Sequence, residues 1–510
     1  MAQDRNETMT LQKPTSKIPD ATDAPSERAS SPGPGSDSVA SDAGPEERLV
    51  IVANRLPVRR CGGRADDGRE GEWETSPGGL VSALSPLLSR TGGSWVGWDG
   101  TSSGSAPAPF DHEGMRIRPV PITGEDVEGF YRGFSNTTLW PLYHDSIREP
   151  VFRRKWWWPY QRVNMHFAEA SSEQLPERGG LLWVQDYQLQ LVPAMVRELR
   201  PDARIGFFLH IPFPPEELFG KIPWRSQILE GLLGADVLGF QTKLSAQNFS
   251  RAARKFTEAT GTDARLRYRG RQIEVNAFPI SIDVDRFRSI ARDPAVIEHA
   301  KQSREEWGER RIILGVDRLD YTKGVDIRLR AYEEVLNRGS VSADNTVFIQ
   351  VAVPTREQVE EYEQLRETVE HYVGRINGQH ASSHRVAVQY LYRSLPQREL
   401  VALYKAADVM LVTPLRDGMN LVAKEYVATR TENTGVLVLS EFAGAALELR
   451  QALLVNPYDI DGTASRIEEA LSLTPPEAAR RMRSLRAAVQ RHSVHDWSAS
   501  FLRRLGDVRR

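Results

Sequence analysis

A single cysteine, Cys61, stands in 510 residues. That excludes an internal disulfide framework and fits a reducing compartment, so a cytoplasmic location is expected. Cys61, beside Gly62 and Gly63, has the setting of a loop thiol rather than of a nucleophile. No apolar run approaches the roughly 20 residues that span a bilayer, and the N-terminus lacks the apolar core of a secretory signal. The formal net charge is −2, which offers no basic excess for nucleic acid or a membrane surface. The ten histidines include no H-E-x-x-H pattern and, with one cysteine, make no metal cage. Neither a G-x-G-x-x-G fingerprint nor a G-x-x-x-x-G-K-[ST] loop occurs, which argues against a dinucleotide-binding oxidoreductase and a P-loop kinase. No metal and no resident cofactor is expected.

What is present is an α/β pattern. Residues 1–46 are rich in Ser, Pro, Asp, Ala and Gly and contain no aromatic residue. Such a segment buries too little apolar surface to offset its ordering entropy and is expected to be a disordered tail. From residue 48 onward, short apolar runs alternate with stretches of helical composition. Runs at 49–58, 181–187, 204–214, 235–242 and 274–283 read as strands of one parallel sheet. Runs at 311–320, 346–354, 386–393, 408–415, 436–444 and 452–459 read as strands of a second. Alternation of this kind gives βαβ units and doubly wound sheets. The expected organisation is a first Rossmann-like domain at 47–283, a second at 284–470, and a C-terminal helical segment at 471–510. Two such domains leave a cleft between the carboxyl edges of their strands, where ligands bind.

The strand ends carry the chemistry. Asn54 and Arg55 end the first, Asp186 and Tyr187 the next, and His210 follows the apolar IGFFL. In the second half the corresponding positions are Arg318 with Lys323, then Arg356, then Asp417. Any one of these alone is an ordinary surface charge. Their repeated fall on the same edge of both sheets is harder to explain that way. Arg318 and Lys323, five apart across a strand-to-helix turn in DRLDYTKG, can clamp one diphosphate: Arg with a planar fork, Lys as a point charge. In VTPLRDGMNLVAKEY (412–426), a buried strand breaks at Arg416, Asp417 and Gly418 and a helix begins at once. The N–H groups at such a start can hold an anion, and Asp417 and Glu425 suit sugar hydroxyls. Gly78 and Gly79 in SPGGL could let a phosphate approach the backbone, or could serve a plain tight turn. Tyr131 and Trp140 fall in or near FSNTTLWPLYH (134–144), read as loop-rich, where sugar stacking competes with core anchoring.

The segments ANRLPV, SPGGL, FSNTTLWPLYH, VQDYQLQLVP, IGFFLHIPFPP, LLGADVLGFQT, VDRLDYTKG and TPLRDGMNLVAKEY, in this order, resemble the trehalose-6-phosphate synthase family, most closely its actinobacterial members. The resemblance covers about residues 48–505. It implies the GT-B fold, two Rossmann-like domains facing a deep cleft, with a C-terminal helix crossing back to the first. It implies a retaining glucosyltransferase that joins a nucleotide-activated glucose (UDP-, ADP- or GDP-glucose) to glucose 6-phosphate. By the same resemblance, Arg55, Tyr131, Asp186 and Arg356 bind the acceptor. Gly78 and Gly79 lie against the donor, Arg318 and Lys323 bind its diphosphate, and Leu395 lies near its base. Asp417 holds the donor glucose, the segment Leu421, Val422, Ala423, Lys424 and Glu425 meets diphosphate and ribose, and His210 and Trp140 flank the anomeric centre. Base recognition through the backbone leaves the nucleotide open. Homo-oligomers (dimer or tetramer) are expected from the family, and a trehalose-6-phosphate phosphatase as the next enzyme. Two other readings compete: a related transferase using glycerol 3-phosphate or a cyclitol phosphate, and a non-catalytic sugar-phosphate sensor. The complete acceptor and donor sets favour the first reading.

Overall fold

The structure is a computed structural model that describes residues 48–61, 72–76 and 79–508. The expected N-terminal tail and Gly78 lie outside the described residues. Each of the eleven apolar runs contains a strand, and between them they form the central strands of two large sheets.

In the first sheet, seven strands run parallel: Arg271–Ala277, Val237–Phe240, Arg204–Leu209, Leu181–Gln185, Leu49–Arg55, Ser94–Trp98 and Met115–Pro119, in that spatial order. Antiparallel strands cap both edges, Arg265–Tyr268 and Thr260–Gly261 on one side and Phe110–His112 on the other. The second sheet has six parallel strands in the order Val388–Leu391, Thr346–Val353, Arg311–Arg318, Val409–Val412, Val436–Ser440, Leu453–Val455. Counting parallel strands along the chain, both sheets follow the doubly wound order 3-2-1-4-5-6, extended in the first by a seventh. The winding reverses between strands 1 and 4, and there the loops diverge and leave a crevice. Sheets covered on both faces need strands that are apolar throughout. Leu49–Ala53 and Ile312–Val316 meet that need, with every residue buried.

Ser94–Trp98 and Met115–Pro119 were not legible as strands. The first, SWVGW, sits between glycines in a turn-like context, and the second, MRIRP, alternates buried and half-buried residues with two arginines. The larger correction concerns 134–144. This segment is helical, not loop-rich: a helix with widened turns covers Val127–Leu139 and runs directly into Trp140–Tyr143, with the Trp140 N–H reaching back to the Ser135 carbonyl. Its bulk is buried, including Phe130, Phe134, Leu139, Trp140 and Tyr143.

The chain ends in two helices, Pro475–Gln490 and Val494–Gly506. A capping box starts the last one, with Ser493 accepting from the Asp496 N–H and Asp496 accepting in return. This helix packs on the first sheet. The Phe501 ring is fully buried and stacks on Trp183 at 4.3 Å between centroids, with Phe278 edge-on at 5.1 Å. Phe501→Ala is expected to cost about 3–5 kcal/mol, the range for truncating a buried aromatic ring, and to lower the melting temperature while leaving the site residues in place. Among the described residues, no helix is long and apolar enough to cross a membrane.

Candidate functional site

The crevice of the second sheet opens between strands Arg311–Arg318 and Val409–Val412. Past the first of these come Arg318, Asp320 and Lys323; past the second comes Asp417. Lys323 Nζ lies 2.5 Å from Asp417 Oδ2, and both side chains are largely buried. Asp417 also accepts from Asn420 Nδ2 at 3.2 Å. Burial pushes the Asp417 carboxyl up, but the Lys323 ammonium beside it prevails and leaves it below its ordinary value. Lys323 is placed from beneath. Gly324 holds φ +60°, and a Cβ there would stand 2.4 Å from the Thr413 carbonyl oxygen, so only glycine lets the turn lie on the neighbouring strand. The fully buried Arg328 donates to the Lys323 carbonyl (3.2 Å), to Thr413 Oγ1 (3.1 Å), to Gln350 Oε1 (3.0 Å) and to Asp317 Oδ2 (2.7 Å). One guanidinium thereby ties three strands to the turn that carries Lys323.

Beyond Asp417 the helix Leu421–Thr429 begins. Asn420, at φ 83°, caps it by accepting from the Ala423 N–H at 3.0 Å. The Ala423 N–H is thus taken, and its side chain is buried. The Lys424 ammonium is buried too, held by Glu448 at 3.0 Å and the Ile280 carbonyl at 2.9 Å, so it ties the helix down instead of facing the crevice. Of the expected run 421–425, the first-turn N–H groups of Leu421 and Val422 are the ones a helix start leaves for a ligand. Leu395 lies in the loop entering the helix Gln397–Ala406. Tyr404 of that helix donates to Glu425 Oε2 at 3.1 Å.

The crevice of the first sheet opens between Leu49–Arg55 and Leu181–Gln185. Arg55 is exposed, and its guanidinium lies 4.6 Å above the Trp98 ring, which in turn meets Tyr131 edge-on at 5.7 Å. Asp186 follows the fourth strand with φ 72°, a conformation rare outside glycine. Two bonds hold it there: its N–H to the Phe208 carbonyl (2.7 Å), and Oδ1 accepting the His210 N–H (3.2 Å). Burial raises the Asp186 carboxyl to about 6, against the His210 and Tyr187 N–H groups and the charges of Arg318 and Arg356, which lower it. His210 is kept neutral by burial, which lowers it to about 3; its Nε2 shares a 3.0 Å hydrogen bond with Gln185 Oε1. Gly79 opens the helix Gly79–Thr91.

The two crevices face each other closely. A Cβ on Gly418 would stand 2.2 Å from the His210 carbonyl oxygen, so the Asp417 loop meets the His210 loop backbone to backbone. Trp140, from the first half, floors both arginines of the second: Arg356 lies 4.0 Å and Arg318 5.7 Å from its ring centroid. Arg356, itself at φ 49°, donates to Tyr187 Oη at 3.0 Å and to Tyr362 Oη, and pairs with Asp320 Oδ2 at 3.4 Å. Tyr187 passes the link on to Asn136 at 2.8 Å. The buried Trp140 Nε1 and Gln185 Nε2 have no hydrogen-bond partner among the described residues. Three cations (Arg318, Lys323, Arg356) and three carboxyls (Asp186, Asp320, Asp417) therefore gather where the two crevices meet, beside neutral His210 and the face of Trp140. Such a site can grip two separate anionic groups and the hydroxyls between.

Asp320, Arg328 and Tyr362 were not singled out from the sequence, and Tyr187 was named only as a strand-end residue. Asp320 lay inside the quoted DRLDYTKG, and its position midway between two cations was a usable signal. Tyr362 and Arg328 sit within helices, and nothing local marks them.

Glu425 supplies a pH prediction. Burial raises its carboxyl from 4.5 to about 7. A carboxyl raised on folding binds more protons in the native state, so its contribution to stability is full below about pH 4.5 and is lost as pH rises through 7. Glu425→Gln is expected to remove that downward slope, so the variant gains on the parent between pH 5 and 8 in melting experiments. Parallel curves for the two proteins would contradict the assignment.

The family model for glycosyltransferase family 20 matches residues 47–507. A trehalose-6-phosphate synthase from Mycobacterium sp. (strain KMS) is 52% identical over 471 residues, spanning 90% of this chain and 95% of that one. Among solved structures, a trehalose-6-phosphate protein from E. coli bound with UDP-2-fluoro glucose superposes with TM-score 0.83 at 32% identity, over 91% of this chain and all of that one. A UDP-forming α,α-trehalose-phosphate synthase from Burkholderia xenovorans in complex with glucose-6-phosphate gives TM-score 0.82 at 34% identity, over 90% and 100%. The chain belongs to glycosyltransferase family 20 and has the GT-B architecture.

Proposed function

We propose that this family 20 glycosyltransferase moves glucose from a nucleotide-glucose to glucose 6-phosphate, giving α,α-trehalose 6-phosphate and a nucleoside diphosphate. The observation that carries the reading is two cationic grips side by side at the carboxyl edge of the second sheet, one turned to Asp417 and the other to Tyr187. Lys323 pairs with Asp417, the carboxylate assigned here to the donor sugar, and Arg318 ends the strand that leads into the Lys323 turn. Arg356 stands over Trp140 toward Tyr187 and Tyr131. One grip suits a diphosphate leaving group and the other a phosphorylated acceptor. The Escherichia and Burkholderia relatives, bound with a UDP-glucose analogue and with glucose-6-phosphate, support the same division.

The chemistry follows from the charges. Breaking the bond between the donor glucose C1 and the diphosphate oxygen puts positive charge on the sugar ring and negative charge on the leaving group. Arg318, Lys323 and the N–H groups of Leu421 and Val422 are set where the negative charge grows. The acceptor C1 hydroxyl forms the new bond on the same face of the ring and gives its proton to the departing phosphate oxygen, which retains the anomeric configuration. Glycosidases that retain use a carboxylate nucleophile. Here Asp417 is already engaged by Lys323 and Asn420, which fits it to hold sugar hydroxyls. Neutral His210 suits a hydrogen bond to the sugar rather than proton donation. Arg55, Tyr131 and Arg356 would select a phosphorylated acceptor over free glucose.

The test is acceptor competition. With one nucleotide-glucose as donor, glucose 6-phosphate is expected to be glucosylated at least 100-fold more efficiently than glucose or glycerol 3-phosphate. Transfer to glycerol 3-phosphate but not to glucose 6-phosphate would overturn the proposal.

A further inference from the structure

Between Arg318 and Lys323 in the chain stands a carboxylate that belongs to neither grip by sequence and touches both in space. Asp320 is fully buried, and its two oxygens do different things. Oδ1 closes the local turn, accepting from the Thr322 N–H at 3.0 Å and Thr322 Oγ1 at 2.8 Å. Oδ2 faces the cleft cations: Arg356 at 3.4 Å, Arg318 at 4.0 Å, and the Tyr362 hydroxyl at 3.3 Å.

Arg318 ends one strand, Arg356 lies in the loop that follows its neighbour, and both lean over the same Trp140 ring. Two guanidinium groups sharing one ring repel, and an aromatic face alone provides about 0.5–2 kcal/mol toward holding a cation. A buried negative charge beneath both lets them converge. Burial opposes the Asp320 charge, but Arg356, Arg318 and Lys323 outweigh it and lower the carboxyl to about 2, so the charge is present throughout the neutral range.

We infer that Asp320 is a positioning residue for both substrates, holding Arg356 toward the acceptor phosphate and Arg318 toward the donor diphosphate from one carboxylate. The inference rests on the function proposed above. It separates Asp320 from Asp417, which is assigned to the sugar, and from Tyr362, which meets Arg356 alone of the two arginines.

The discriminating variant is Asp320→Asn. Its amide oxygen can still accept from Thr322, so the turn survives, while an NH2 group replaces Oδ2 opposite the two cations. Steady-state kinetics over a grid of both substrates is expected to show KM for nucleotide-glucose and for glucose 6-phosphate each rising about tenfold or more. Tyr362→Phe, which removes the hydroxyl and keeps the charge, is expected to raise KM for glucose 6-phosphate alone. Should the Asn variant not be recovered folded, Asp320→Ser, which keeps a hydroxyl acceptor for Thr322, is read in the same way. A rise confined to one substrate, or a lower melting temperature with both KM values unchanged, would overturn the inference. The wild-type enzyme run in parallel separates the two levels: no transfer to glucose 6-phosphate by wild type removes the functional reading and this inference with it. An active wild type beside an unchanged Asp320→Asn removes this inference alone.

Discussion

Arg318→Ala is expected to lower kcat by on the order of 10²–10³-fold, the cost of deleting one preorganised group that meets charge developing in a transition state. The melting temperature should hardly move. The Arg318 side chain is 47% exposed and leans on Asp320 only at 4.0 Å, so no tight packing or short ion pair goes with it. Activity and stability are thus separable at this position. They are not separable at Lys323. Its 2.5 Å pair with Asp417 is largely buried, and Lys323→Ala leaves a buried carboxylate without its partner, which costs stability as well as turnover. A pair of variants that both lose turnover, with only the Lys323 variant losing thermal stability, is what the geometry requires. Full activity in Arg318→Ala, measured with saturating donor, would remove the diphosphate clamp from the account.

Arg356→Ala should act on the acceptor side. A hydrogen bond to a charged group contributes about 1.5–3 kcal/mol, which converts to a rise of roughly 10- to 150-fold in KM for glucose 6-phosphate. The preference for glucose 6-phosphate over glucose should shrink by the same factor, because free glucose never used the arginine. The variant also leaves Asp320 buried with its main counter-ion gone, and breaking a buried pair from one side costs about 3–5 kcal/mol. Arg356→Lys is not expected to rescue fully. One ammonium cannot serve Tyr187, Tyr362 and Asp320 together and still present a fork to a phosphate. Discrimination between the two acceptors, read from kcat/KM ratios, is the measurement. An unchanged ratio in Arg356→Ala would place the phosphate elsewhere.

The sequence made the fold legible where local signals suffice. Long apolar runs such as RIILGVDR and TVFIQVAV, cut off by charged residues, mark buried parallel strands and their functional ends in one stroke. The Leu421 helix start announced itself through the break of the apolar run at Arg416, Asp417 and Gly418. Strand order was not legible, because hydrophobic periodicity says nothing about which strands are neighbours. Yet strand order is what sets Arg55 beside Asp186, and Arg318 and Lys323 beside Asp417. Trp140 was placed in a loop because FSNTTLWPLYH has a poor helical composition, with Ser, Asn, two Thr and a Pro. Burial of Phe134, Leu139 and Tyr143 overrides that weak propensity. The support beneath the site was hidden for a different reason. Lys323 and Asp417 are 94 residues apart, and Arg356 and Tyr187 are 169 apart. Buried Arg328 looks like any charged residue on an amphipathic helix until three strands converge on it.

The measurement that bears most directly on the account is product analysis with purified protein, glucose 6-phosphate, and UDP-, ADP- and GDP-glucose offered in parallel, with the linkage read by NMR. The two-grip cleft predicts a non-reducing disaccharide phosphate with both anomeric carbons α, formed from at least one of the donors at a rate that ranks them. A product of inverted configuration, or no transfer to glucose 6-phosphate from any of the three, would contradict it.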